Sequence, residues 1–346
     1  MRLPHPRGPV SRGVTDALRG DRPLDVETLL AGVADAGGDV LHDEDLQLAL
    51  WVAYELHYGG FEDLGGTAAG ADWEWDPDLL RVRQALEGRF EARLRELTRR
   101  DVDAALAATG DVADRVFAQA AAADGPSLGR LLQREATAEQ FVEVLVHRSL
   151  YQLKEADPHT FAVPRLQGSA KVALVELQFD EYGAGRPERQ HATLFADGLE
   201  ELGLDRGYGA YVDAVPAVTL ALNNAMSLLC LHRRLRGAAV GHLAALEVTS
   251  SLPCRKYVQG LRRLDLSPAM VTYFDEHVEA DAVHEQVATR EICAALVARE
   301  PELAEDVSFG VAVCLRMDEL LAAHVLDSFR AGVSSLRSRE VSEAVA

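Results

Sequence analysis

The run Tyr273-Phe274-Asp275-Glu276-His277-Val278-Glu279-Ala280-Asp281-Ala282-Val283-His284 reads as a single helix. At about 100° per residue, His277, Asp281 and His284 fall within roughly 60° of one another on one face. Two imidazoles and a carboxylate aimed the same way suit a first-row transition metal better than Ca²⁺ or Mg²⁺. Glu276, Glu279 and Glu285 give the same helix a polar side. An exposed charged stripe is therefore the competing reading, and one helix cannot complete a metal site.

Working outward, four further residues of ligand type stand where neighbouring helices would end, begin or cross. Glu181 lies near the end of Val172-Ala-Leu-Val-Glu-Leu-Gln-Phe-Asp-Glu181-Tyr-Gly183. Val172, Leu174, Val175 and Phe179 are expected to form the apolar side of that helix. Glu176, Asp180 and Glu181 crowd like charges unless a cation neutralises them or the helix end is solvated. His191 follows a turn marked by Gly183, Gly185 and Pro187. Glu247 interrupts the otherwise apolar Leu243–Val248, where a carboxylate needs a partner, either a metal ion or an arginine from the next helix. Glu155 closes Leu150-Tyr-Gln-Leu-Lys-Glu155-Ala-Asp-Pro-His159 and by itself reads as a helix C-terminus. Glu188 and His191, with Asp281 and His284, imitate the Glu-x-x-His pairs of ferritin-like bundles. Glu188, however, follows Pro187 in a first turn, where an exposed glutamate simply complements the helix dipole. Glu143 with His147, and Glu155 with His159, are four apart and are weighed as pairs on the same footing.

The rest of the chain is helical in pattern. Good helix formers abound and β-type alternation is scarce. Helices are expected over 45–58, from Pro77 with Asp76 as cap, and over 127–155, 169–182, 188–202 and 215–236. Further ones are expected over 238–251, 256–264, 269–299 and 301–333. The chain of 346 residues is 48% hydrophobic, enough for a sizeable core. Its formal net charge of −20 argues against nucleic acid and anionic lipid as partners. Ala214–Leu231 is interrupted by Pro216, Asn223 and Asn224, so a core helix is preferred to a membrane span. Cys230, Cys254, Cys293 and Cys314 form no C-x-x-C pair and read as buried thiols. Met1–Val14 reads as a loose tail without a signal peptide, so a cytoplasmic location is expected. Residues 1–120 are read as a helical lead-in, a possible dimerisation region, 121–335 as the functional domain, and 336–346 as a tail.

Taken together, the segments ending at Glu155, Glu181 with His191, Glu247, and His277 to His284 resemble the heme-oxygenase-like diiron oxidases and oxygenases, a family of iron-containing redox enzymes. The likeness covers roughly residues 125–300. It implies an all-α, heme-oxygenase-like helical bundle with an N-terminal helical extension, binding two Fe (Fe²⁺/Fe³⁺) and no heme, with O₂ as co-substrate. Glu181, His191, Glu247, His277, Asp281 and His284 match the family's six ligand positions. Glu155 matches an additional carboxylate of its nitrogen-oxygenating members, whose Glu181–His191 spacing this chain shares. A cupin domain that accompanies one such member is not found here, and its chemistry is not expected.

The function so implied is an O₂-dependent oxygenase of specialised metabolism. It would form an N–O bond on a small amine, amino acid or guanidine-like substrate through a peroxo-diferric intermediate, with an external electron donor and a homodimeric assembly. A diiron oxidase acting on carbon is the first alternative, by desaturation, C–C cleavage or decarboxylation. A non-catalytic helical binding protein with a vestigial site is the second. Arg165, Asn223, Asn224 and Arg233 are candidate polar contacts for a substrate, with structural roles as the alternative.

Overall fold

The structure is a computed structural model that describes residues 1–65 and 72–337, without the side chains of 279–282. Among the described residues every regular element is helical. The chain runs through α1 (Pro9–Arg19), α2 (Val26–Asp35), α3 (Glu44–Glu55), α4 (Pro77–Ala107) and α5 (Val112–Ala122). It continues with α6 (Leu128–Arg134), α7 (Ala138–Gln152), α8 (Asp157–Thr160), α9 (Gly168–Glu181) and α10 (His191–Glu201). The remainder is α11 (Ala217–Leu231), α12 (Arg236–Arg263), α13 (Pro268–Gln286), α14 (Ala295–Arg299) and α15 (Ala304–Arg330).

Local signals explain several boundaries. Asp76 accepts from the amides of Asp78 and Leu79, and Pro77 occupies the first turn of α4, as its sequence implies. The helix expected over 127–155 is instead two. Thr137 and Gln140 form a reciprocal capping box that starts α7 afresh. The opposite correction applies to 238–251 and 256–264, which are one helix, α12, with Pro253 inside it. Proline removes an amide donor and normally breaks a helix. Here Glu247 on one side and Cys254, Tyr257 and Val258 on the other are all buried, so tertiary packing carries α12 through. The helix expected over 269–299 is interrupted by a π-helical stretch, Val287–Ala294.

Two apolar clusters form the interior. The first joins α1–α4 to α9, α11, α12 and α15, with Trp51, Tyr54, Phe90, Leu174, Ala244 and Phe309 among its members. The second is built on α6, α7, α10, α12, α13 and α15 and contains Phe141, Phe195, Tyr257, Tyr273 and Phe274. Where α12 and α15 cross, a Cβ on Gly241 would overlap the carbonyl of Val307, and one on Gly310 that of Ala238. The helices touch there backbone to backbone.

Two expectations are overturned. Of the expected apolar side only Leu174 is buried; Val172, Val175 and Phe179 are 66%, 48% and 55% exposed, and α9 buries Ala173 and Leu177 beside Leu174. The N-terminal residues do not form a loose tail. Leu3 is buried, and the buried Arg7 guanidinium bonds Glu44 at 2.5 Å and the Val212 carbonyl. All four cysteines are buried. No helix among the described residues is long and apolar enough to cross a membrane.

Candidate metal centre

Four helices and one turn deliver the polar groups. Glu181 is the last residue of α9 and His191 the first of α10. Gly183 folds one back on the other. Its φ is +80°, and a Cβ there would overlap the backbone at Arg186 and Gln190. Glu155 sits in the turn after α7, Glu247 in the middle of α12, and His277 and His284 two turns apart on α13. All six are buried. The side chain of Asp281 lies outside what the structure describes.

The six fall into two groups. Ligand atoms of Glu155, Glu181, His191 and His277 lie within 4.8 Å of one another, as do those of Glu181, Glu247 and His284. Glu181 belongs to both. Its Oε2 is 2.9 Å from His191 Nδ1, while its Oε1 is 3.5 Å from His284 Nδ1. Glu155 Oε1 stands 3.5 Å from both His191 Nδ1 and His277 Nε2. Glu247 Oε2 is 3.6 Å from His284 Nδ1.

Surrounding groups orient these side chains. The Tyr273 hydroxyl donates to Glu155 Oε2 at 2.8 Å, leaving Oε1 toward the histidines. His277 Nδ1 is 2.8 Å from the Tyr273 carbonyl, which only accepts. Nδ1 therefore carries the proton, and Nε2 presents its lone pair to the group. His284 Nε2 faces Asp180 Oδ2 at 3.4 Å.

The donor set fits a transition-metal cation. Glu155 Oε1, His191 Nδ1 and His284 Nδ1 are buried yet make no hydrogen bond with adequate geometry. Buried polar atoms are almost always satisfied. Three orphans converging on mixed carboxylate and imidazole donors are what a cation would complete. Burial pulls the His191 imidazole down, but Glu155 and Glu181 outweigh it and hold it up at about 11. Burial likewise opposes protonation of His284, and Glu181 and Glu247 raise it to about 11. For Glu181 burial pushes upward, yet His191 and His284 hold the carboxyl well below its usual range. Without metal, protons on imidazoles balance the acids.

Other candidates lie elsewhere. Glu188 is exposed. His147 bonds Thr219 and Ser335, and Glu143 also holds Ser335, so that pair anchors the segment after α15. His159 packs 5.5 Å from His242, and burial pushes the His159 imidazole down to about 4. Arg165 bonds the carbonyls of Cys230 and Leu231 at the end of α11, and Asn224 bonds Gln47. Asn223 bonds the Thr219 carbonyl within its own helix. These three polar residues are structural. Arg233 caps no cluster member and lies in a 3₁₀ turn before α12, exposed. Tyr273 went unread in the sequence, although its position four before His277 places it on the ligand face.

A cavity of about 620 Å³ reaches Glu155, Glu181, Glu247 and His277. Leu222, Met226, Leu246, Tyr257 and Phe274 line its apolar walls. This volume is in the range of small-molecule sites.

The family pattern described as "Iron-containing redox enzyme" matches residues 142–319, which contain all seven candidate ligands. A nitrosourea synthase from Streptomyces achromogenes subsp. streptozoticus is 32% identical over 145 residues. That match takes in 42% of this chain and only 31% of the length of that relative. Among solved structures, a CADD-like protein of unknown function from Nostoc punctiforme PCC 73102 aligns with a TM-score of 0.45 and 19% identity. It covers 68% of this chain and 98% of that one.

Proposed function

This chain belongs to the iron-containing redox enzyme family, and on that premise we propose that it is a non-heme diiron, O₂-dependent oxygenase forming an N–O bond on a small amine, amino acid or guanidine-like substrate. The observation that carries the two-iron reading is Glu181, whose two oxygens face different histidine-containing groups. Glu155, Glu181, His191 and His277 would hold one ion; Glu181, Glu247 and His284 the other; and Asp281, whose side chain is undescribed, belongs to the proposed set. The nitrosourea synthase supports nitrogen as the atom oxidised, since a nitrosourea carries an N–N=O unit. Two ferrous ions bound there would supply the electrons and Lewis acidity needed to activate O₂.

The protein's own groups prepare that chemistry. Tyr273 fixes the Glu155 rotamer by donating to Oε2. The Tyr273 carbonyl selects the His277 tautomer that leaves Nε2 basic. Asp180 faces the outer nitrogen of His284 and steadies that ring. Apolar walls from Leu222, Met226, Leu246 and Phe274 restrict water around the reacting nitrogen. With iron bound, the chain would need an external electron donor, and we propose that it acts as a homodimer.

Anaerobic loading with Fe(II) should bring about two irons per chain. Exposure to O₂ with a panel of amines, amino acids and guanidines should then yield N-hydroxylated or nitroso products by mass spectrometry. Iron uptake with only desaturated or carbon-cleaved products would replace the nitrogen reading by a carbon one. Failure to take up iron would remove both.

A further inference from the structure

The cavity that opens onto the Glu and His groups is not walled by the family span alone. Helices α4 and α5 precede residue 142 and contribute Ala104, Ala105, Arg115 and Gln119 to it. Arg115 and Gln119 are one helical turn apart, on a part of the wall that supplies no member of the metal groups. Arg115 Nε and Gln119 Oε1 are both shut off from water without a hydrogen-bond partner.

The other cavity arginines are already neutralised. Arg316 pairs with Asp101 and Glu319, and Arg148 with Asp318 and the Tyr257 hydroxyl. Among the described residues no carboxylate pairs with Arg115. Arg115 is only partly buried, but its Nε is sealed from water with no acceptor, and a guanidinium's planar fork suits a carboxylate. An amide oxygen one turn away, its own NH₂ spent on the Ser308 carbonyl, asks for a donor on the same molecule.

We propose that the cavity takes a substrate whose end remote from the oxidised nitrogen is a carboxylate with an adjacent O–H or N–H donor, gripped by Arg115 and Gln119. This inference rests on the reading of the Glu and His groups as the iron centre, to which it adds the chemistry of the substrate's other end. Arg115 and Gln119 are specificity residues and touch no reacting atom.

Isothermal titration of the anaerobic Fe(II)-loaded chain, and in parallel of the metal-free chain, would use octanoate, 2-hydroxyoctanoate and octylamine as probes. The hydroxy acid should bind tightest, octanoate next, and octylamine weakest to the metal-free chain. Arg115→Met should weaken both acids by roughly ten- to hundredfold, the worth of a charged hydrogen bond, with iron uptake unchanged. Gln119→Met should erase only the advantage of the hydroxy acid. Should Arg115→Met fold poorly, Arg115→Lys keeps the charge without the fork and should still weaken the acids several-fold. Acid affinities indifferent to all three substitutions would overturn the proposal while leaving the iron reading intact. Loss of acid binding in Arg115→Met, in a chain that takes up no iron, would sink the iron reading and keep the anion site.

Discussion

Lys154 and Glu155 are neighbours in sequence and point into two different buried polar clusters. On one side the Lys154 ammonium ion-pairs with Glu55, which also accepts from the Tyr208 hydroxyl at 2.8 Å. Lys154 lies 4.1 Å from the centre of the Tyr58 ring and 5.0 Å from that of Tyr208. On the other side Glu155 joins two further glutamates and three histidines. The first cluster carries its own cation, which with the Tyr208 hydroxyl engages Glu55 Oε1 and leaves Oε2 without a hydrogen bond. Among the described residues the second holds its acids against one another, with protons on His191 and His284 to balance them. Charge balance therefore separates a structural ion pair from a candidate metal centre, although both are buried.

The contrast breaks most sharply at Glu181. Glu181→Ala removes the carboxylate common to both groups, and iron content should fall from about two per chain to well below one. The loss of affinity should exceed the roughly 10–100-fold that outer-shell changes cost. Iron analysis after anaerobic loading and desalting measures it, and retention of two tight irons would end the bridging reading.

Proton release tests the same balance. His191 and His284 are held up at about 11, so both are protonated in the metal-free chain near neutrality. Metal must displace about two protons, and apparent Fe(II) affinity should rise by up to about a hundredfold per pH unit between pH 6 and 8. Glu155 and Glu181 are shifted down and stay ionised across that window. Because the folded imidazoles sit above their ordinary value, their contribution to metal-free stability is complete below about pH 6.5. It is lost as pH climbs toward 11. Thermal melts of the metal-free chain should therefore weaken from pH 7 to 9, and those of the loaded chain should not.

The first cluster predicts a different response. Lys154→Met leaves Glu55 buried without its cation and should cost roughly 3–5 kcal/mol in chemical denaturation, with or without iron. The double substitution Lys154→Met with Glu55→Leu should recover most of that loss. If iron alone rescued the single variant, the two clusters would not be independent. The smallest effects belong to the orienting groups. Tyr273→Phe should keep two irons but weaken them by roughly tenfold or more. Asp180→Asn, on a half-exposed side chain, should change affinity by no more than about 1 kcal/mol.

Much of this centre was legible before any coordinates. The Gly183 turn, the cap at Asp76, and the helical spacing of His277 and His284 are local, and local rules read them correctly. The phase of α9 was not. Val172, Val175 and Phe179 carry the stronger apolar signal, yet Ala173, Leu174 and Leu177 face the core, because Glu181 had to turn inward with them. The break expected between 251 and 256 fails for a similar reason: the proline inside it, Pro253, argues against a helix only where packing does not hold both sides.

By itself the sequence determined a helical chain and the kinds of group it offers a metal, because helix propensity and donor chemistry belong to residues taken a few at a time. Only the tertiary structure decided that Glu181 splits its oxygens between two groups, that Lys154 is answered by Glu55, and that Arg115 is answered by nothing among the described residues. Those are matters of which charges meet across long stretches of chain. Packing, not local spacing, chooses the partners.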